Sequence, residues 1–172
     1  MDRILVVGVT GAGKSTLARA VSDRLGMPYH EMDALYFKGP SWTVNDRFTE
    51  DVSSLAAEPR WIIDSLGYPE VRDLLWTRAD TVIWLDYPRR VTMPRILRRS
   101  LKRTVTREPL FGGNREPWSD WLTRTHPAWW SWSQHATRHT EIATRLQNPR
   151  FTPLDTLHFT HPKATATWLA TL

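Results

Sequence analysis

The residues best suited to chemistry lie near the start of the chain. Gly8-Val9-Thr10-Gly11-Ala12-Gly13-Lys14-Ser15-Thr16 follows the apolar run Ile4–Val7, and the pattern Gly-x-x-x-x-Gly-Lys-Ser is complete within it. Each residue type has a reason. Glycines let successive backbone N–H groups turn toward one point, and a polyphosphate approaches that nest without meeting a Cβ. A helix opening after Gly13 adds the positive end of its dipole. Lys14 supplies a point charge for β and γ phosphates, and the Ser15 hydroxyl is a ligand type for Mg²⁺. Gly8, Thr10, Gly11, Ala12, Gly13, Lys14, Ser15 and Thr16 are therefore the expected nucleotide-binding residues, with ATP and Mg²⁺ as the implied cofactors.

Two carboxylates extend this chemistry. Asp64 follows the apolar Trp61-Ile62-Ile63, the place from which a strand-end carboxylate reaches Mg²⁺ directly or through water. Asp33 follows a second strand, in His30-Glu31-Met32-Asp33. At the carboxyl end of a parallel strand it would face an acceptor pocket and take the proton of an attacking hydroxyl. The alternative is a loop carboxylate with only a local hydrogen bond. His30 and Glu31 read as strand residues, and no spacing of His, Asp and Glu suggests a zinc site.

Residues 89–107 carry Arg89, Arg90, Arg95, Arg98, Arg99, Lys102, Arg103 and Arg107. Arg95, Arg99 and Arg103 recur every fourth position and share one helix face, while Leu97 and Leu101 would anchor another. A basic face beside a triphosphate stabilises a migrating phosphoryl group; the other readings are a solvated face or a nucleic-acid patch. Five of the ten tryptophans stand at 118, 121, 129, 130 and 132. Tryptophan most often fills interiors, and the alternative here is a stacking platform.

The elements that must position these residues follow from periodicity. Ile4–Val7 reads as a central strand and Lys14–Leu25 as a helix with Leu17, Val21 and Leu25 on one stripe, stopped by Gly26. Strands are expected at Pro28–Glu31, Arg60–Asp64, Thr81–Asp86 and Thr156–Thr160. Met32–Thr43 reads as irregular, Asn45 as the N-cap of a helix through Ala57, and Pro69–Thr77 as a short helix. A basic helix runs to about Thr106; with Pro94 inside, it either starts near Thr92 or bends. Residues 107–117 read as a loop, 118–135 and 139–147 as two helices, and Pro162 opens the last one. Strands alternating with helices give an α/β layered fold with a parallel sheet.

Composition sets the outer limits. The 172 residues fit a single domain, residues 1–172, with 41% hydrophobic and 24% charged residues. No apolar run approaches the ~20 residues of a membrane span, and MDRILVVG is not a secretory signal. There is no cysteine, which removes disulfide and thiolate chemistry; a cytoplasmic protein is the default expectation. The net charge of +5 suits an anionic partner, nucleotide or nucleic acid.

Together these segments resemble the adenylate-kinase-like P-loop kinases, and more narrowly the bacterial DNA topology modulation (FlaR-like) proteins. The matching parts are RILVVGVTGAGKSTLAR, PYHEMDALYF, the Trp-Ile-Ile-Asp strand and TVIWLDYPRR. The resemblance implies a P-loop NTPase three-layer fold, a five-stranded parallel sheet in the order 2-3-1-4-5 with helices on both faces, and a helical lid at residues 107–130. It also implies that Arg95 stacks on adenine, that Arg99 reaches the transferring phosphate, and that His161 touches the adenine edge. Two departures matter, and one is that the Asp-Gly-Asn-Tyr typical of the FlaR-like proteins after the third strand is absent. Asp64-Ser65-Leu66-Gly67-Tyr68-Pro69-Glu70 lacks the Arg with which adenylate kinases grip an acceptor monophosphate; the next is Arg72.

The expectation is thus an ATP- and Mg²⁺-dependent phosphotransferase acting on a small-molecule acceptor: a nucleoside, a nucleotide or a hydroxylated metabolite. Its working residues would be Lys14, Asp33, Arg95 and Arg99, with Ser15 and Asp64 on the metal. The alternative is a nucleotide-binding regulatory protein that contacts DNA through the basic helix 89–107. No Asn-Lys-x-Asp guanine motif is present.

Overall fold

The apolar runs pair as five strands in a computed structural model that describes residues 1–107, 109–114, 118, 121, 127–151 and 153–172. They are β1 (Arg3–Gly8), β2 (Tyr29–His30), β3 (Trp61–Ile63), β4 (Thr81–Leu85) and β5 (Asp155–Phe159). All run parallel, in the order β2-β3-β1-β4-β5. Ile4–Val7 and Trp61–Ile63 are fully buried, as continuous apolar strands covered on both faces must be.

Seven α-helices are assigned among the described residues: α1 (Lys14–Leu25), α2 (Met32–Tyr36), α3 (Phe48–Ala56), α4 (Pro69–Arg78), α5 (Arg89–Thr106), α6 (Pro127–Leu146) and α7 (Pro162–Leu169). Alternate strand residues face opposite layers. Ile4, Val6, Ile62 and Ile83 pack against Leu17 and Val21 of α1 and Trp168 of α7. Leu5, Val7, Ile63 and Trp84 pack against Val52 of α3, Leu75 of α4 and Ile142 of α6. The result is the expected three-layer α/β fold.

Three local expectations change, and a fourth, for α5, loses one of its two alternatives, the start near Thr92. Met32–Tyr36, expected to be irregular, is helical. The helix expected from Asn45 starts at Phe48; Asn45 instead closes the turn before it, its side chain accepting from Arg47 N–H and its carbonyl from Phe48 N–H. The two helices expected over 118–135 and 139–147 are one continuous α6 from Pro127, because no breaker separates Pro127 from Leu146. Helix α5 runs from Arg89 through Pro94. The proline removes only the hydrogen bond to Arg90, while Thr92, Ile96, Ser100 and Thr104 bury one face along the whole length.

Of the expected lid 107–130, residues 108, 115–117, 119–120 and 122–126 lie outside the described residues. Among the described residues, no helix is long and apolar enough to cross a membrane.

Candidate functional site

The phosphate loop connects the carboxyl end of β1 to α1, and two of its glycines are required by space as well as by backbone. Gly8 has φ of 149°, and a Cβ there would lie 2.5 Å from the Leu85 carbonyl oxygen. Gly11 has φ of 79°, and a Cβ would meet Ile96 at 2.6 Å and the Thr92 carbonyl at 2.8 Å. The loop is therefore held between β4 and α5, with room only for backbone.

Lys14 starts α1 and its Nζ donates to the Val9 carbonyl at 3.3 Å. Burial pulls its pKa below the ordinary lysine value, against the attraction of Asp64 and Asp33; the charges of Arg99 and Arg138 add to the lowering. A buried cation short of compensation favours an incoming polyanion. Ser15 donates its hydroxyl to Asp64 Oδ2, and Asp64 Oδ1 accepts from Met32 N–H at 3.3 Å. Asp64 is 7% exposed, and burial raises its carboxyl above the usual range despite Ser15 and Lys14. A hydroxyl and a carboxylate in contact, both hard oxygen donors, fit a Mg²⁺ completed by phosphate oxygens and water. Among the described residues no group of three His, Cys, Asp or Glu could hold a metal by itself, and such a Mg²⁺ site needs none.

Three helices build the cavity wall beside the phosphate loop. Asp33 sits in the first turn of α2, exposed, and accepts from the Tyr68 hydroxyl at 3.0 Å. Tyr68, just before α4, is stacked on Tyr36 with ring centroids 3.7 Å apart. Burial and the Asp33 charge push its phenol up, so it stays a donor. A cavity of about 380 Å³ runs from Lys14, Asp64 and Asp33 to Arg72, His135 and Arg138. Two arginines, one from α4 and one from α6, thus line the same cavity as Lys14. Arg72 donates Nε to the Gly67 carbonyl at 2.9 Å and pairs through Nη1 with Glu141. Arg138 reaches the other Glu141 oxygen at 3.3 Å. One carboxylate holds two guanidinium groups, leaving this wall net positive.

Arg95 lies against the phosphate loop, its Nη1 donating to the Ala12 carbonyl at 3.1 Å and its guanidinium 5.6 Å from the Tyr87 ring centroid. His161 is outside the cavity lining, and its Nδ1 accepts from Lys163 N–H at 3.1 Å as the N-cap of α7. Two expectations reverse. Leu97 and Leu101 are exposed, and the apolar anchor of α5 is Ile96, one position earlier. Trp118, Trp129, Trp130 and Trp132 are exposed rather than core; Trp130 lines the cavity, and Trp132 lies under the Arg89 guanidinium at 4.7 Å.

Arg138, Glu141 and His135 carried no sequence signal beyond the helical spacing of Arg138 and Glu141. Their partner Arg72 is 69 residues from Glu141, a separation that no local pattern marks.

No family model matches the chain. A shikimate kinase from Geobacter metallireducens is 30% identical over 128 residues, which cover 65% of this chain and 68% of that protein. Two solved structures share the fold at low identity. A shikimate kinase from Acinetobacter baumannii in complex with shikimate has a TM-score of 0.56 at 15% identity, covering 99% of this chain and 90% of its own. A deoxyadenosine kinase from M. mycoides with bound dCTP has a TM-score of 0.52 at 13% identity, with 98% and 96% covered. The P-loop kinase expectation is met at this level, and the narrower likeness to DNA topology modulation proteins stays a sequence resemblance. With its sheet order, its phosphate loop and this relative, the chain belongs to the shikimate-kinase-like family of small P-loop kinases.

Proposed function

We propose that the protein is an ATP- and Mg²⁺-dependent phosphotransferase that phosphorylates a hydroxyl of a small molecule held between α2, α4 and α6. One observation carries this reading: Lys14, Asp64 and Asp33 open onto the same cavity as Arg72 and Arg138. In this reading phosphate handling and a carboxylate base share one space with a positive wall.

Lys14 and the loop N–H groups bind the β and γ phosphates. Ser15 and Asp64 would hold Mg²⁺, which when bound neutralises phosphate charge. Asp33 accepts the proton of the acceptor hydroxyl as its oxygen bonds to the γ phosphorus and the bond to the β-phosphate oxygen breaks. Arg95 and Arg99 face the donor, Arg95 and His161 serve the base side, and residues 107–130 act as the lid. The Arg72–Glu141–Arg138 wall suits a hydroxylated acceptor with a negative group, a description that includes shikimate. The test is ADP formation across a panel of shikimate, other hydroxylated metabolites, nucleosides and nucleotides. Stimulation by one class, lost in Lys14→Ala, is expected; no stimulation above the Lys14→Ala background overturns the reading.

The DNA-contacting alternative draws on Arg90, Arg98 and Arg107, exposed along and just after α5. It requires duplex binding that weakens steeply with salt. Absence of duplex binding at low salt removes it.

A further inference from the structure

Asn114 is not among the residues that line the cavity, yet its side chain joins two segments far apart in the chain. It is 6% exposed, and its side-chain amide is fully engaged. Oδ1 accepts from Trp42 N–H at 2.9 Å. Nδ2 donates to the Gly39 carbonyl at 3.2 Å and to the Phe111 carbonyl at 2.6 Å. Its own carbonyl accepts from Leu110 N–H at 2.6 Å. One side chain therefore ties the turn 110–114, which follows α5, to the tip of the loop 37–44.

That loop belongs to the acceptor side. Phe37 and Val44 bridge its base, and Lys38 N–H donates to the Thr43 carbonyl at 3.1 Å. Phe37 lines the cavity, and Trp42 packs edge-on against it with ring centroids 5.2 Å apart. The tip is also strained. Ser41 and Trp42 both have φ of 58°, two consecutive L-residues in the left-handed region, which persists only where surroundings enforce it. Asn114 bonds to Gly39, two residues before that pair, and to Trp42 within it.

On its other side the turn 110–114 continues from the helix that carries Arg95 and Arg99. We infer that Asn114 is a positioning residue that couples the nucleotide side to the acceptor loop: when nucleotide steadies Arg95, Arg99 and the turn 110–114 that follows their helix, Asn114 steadies residues 37–44 and Phe37 with them. Nucleotide binding thereby shapes the acceptor wall before transfer. This rests on the nucleotide-binding part of the proposed function and on no turnover, so it is tested separately from phosphoryl transfer.

The experiment is hydrogen exchange on the whole protein with and without Mg²⁺ and a non-hydrolysable ATP analogue, followed in peptides covering 37–44 and 109–114. In the wild type both segments are expected to slow together, by about threefold or more. In Asn114→Ala the 109–114 segment still slows and 37–44 does not. Should the alanine protein fail to fold, Asn114→Asp keeps the acceptor for Trp42 N–H but removes the donor to Gly39, and is expected to uncouple equally. A purely local role in shaping the strained loop predicts that adding Ser41→Gly, which accepts the left-handed conformation, restores the response. Coupling through the amide predicts that it does not. The inference is overturned if nucleotide leaves 37–44 unchanged in the wild type, if the response survives in Asn114→Ala or Asn114→Asp, or if Ser41→Gly restores it.

Discussion

At the scale of single residues, the proposed reaction assigns donor and acceptor chemistry to different side chains. Lys14 is a buried cation whose compensation by Asp64 and Asp33 does not offset its desolvation, so Lys14→Ala removes the charge that phosphate answers. Turnover is expected to fall by about 10³, read as ADP release with the responsive acceptor. In the proposed reaction Asp33 takes the acceptor proton. Asp33→Asn is expected to lower kcat by about 10² to 10⁴, with affinity for an ATP analogue changed less than threefold or so in calorimetry. Loss of nucleotide binding in that variant would reassign Asp33 to the metal. Arg138→Ala removes the more exposed member of the positive wall, and is expected to raise the acceptor KM about tenfold or more while kcat moves less. An unchanged KM would exclude Arg138 from acceptor binding.

At the scale of elements, α5 shows how a helix can serve a loop. Three of its four buried positions, Thr92, Ser100 and Thr104, are smaller and more polar than its exposed Leu97, Leu101 and Val105. Hydrophobicity alone therefore selects the wrong face. Geometry explains the choice: Ile96 and the Thr92 carbonyl lie where a Cβ on Gly11 would fall, and small neighbours bring the helix close to the phosphate loop. Ile96→Ala is expected to cost about 2–4 kcal/mol in denaturant unfolding, and to weaken nucleotide binding by loosening the loop. Leu97→Ala should stay within about 0.5 kcal/mol. Equal costs would mean that the helix presents a different face. The i, i+4 recurrence of Arg95, Arg99 and Arg103 did identify a shared face, because that periodicity belongs to the helix itself.

At the scale of the whole molecule, the parallel sheet places binding groups at its carboxyl end and structural ones at its amino end. Asp80, at the amino end of β4, accepts from Arg3 N–H at 2.9 Å and from Asp2 N–H at 3.1 Å. Burial alone would raise its carboxyl, but the Thr81 hydroxyl and these two N–H groups outweigh it and hold it below the usual range. With the folded value below the unfolded one, its stabilisation is complete above the ordinary carboxylate pKa and is lost as pH falls through the depressed value. Asp80→Asn is expected to cost about 1 kcal/mol near neutral pH and to flatten the acid limb of a thermal melting series. Wild-type and variant curves that stay parallel down to about pH 3 would remove this role.

The sequence by itself determined the phosphate loop, the strand–helix alternation and the carboxylate after β3. These depend on contiguous residues, and backbone geometry over a short stretch is dictated by glycine, by apolar runs and by helical period. The parallel order 2-3-1-4-5 was implied only through resemblance. Tertiary structure alone decided the wall on which the proposed acceptor side rests. The Arg72–Glu141–Arg138 wall brings α4 to α6, and Asn114 joins residues 39–42 to residues 110–114. Such contacts exist because packing on one sheet brings distant helices together, and a separation of 69 or 72 residues leaves no period in the chain from which to read them.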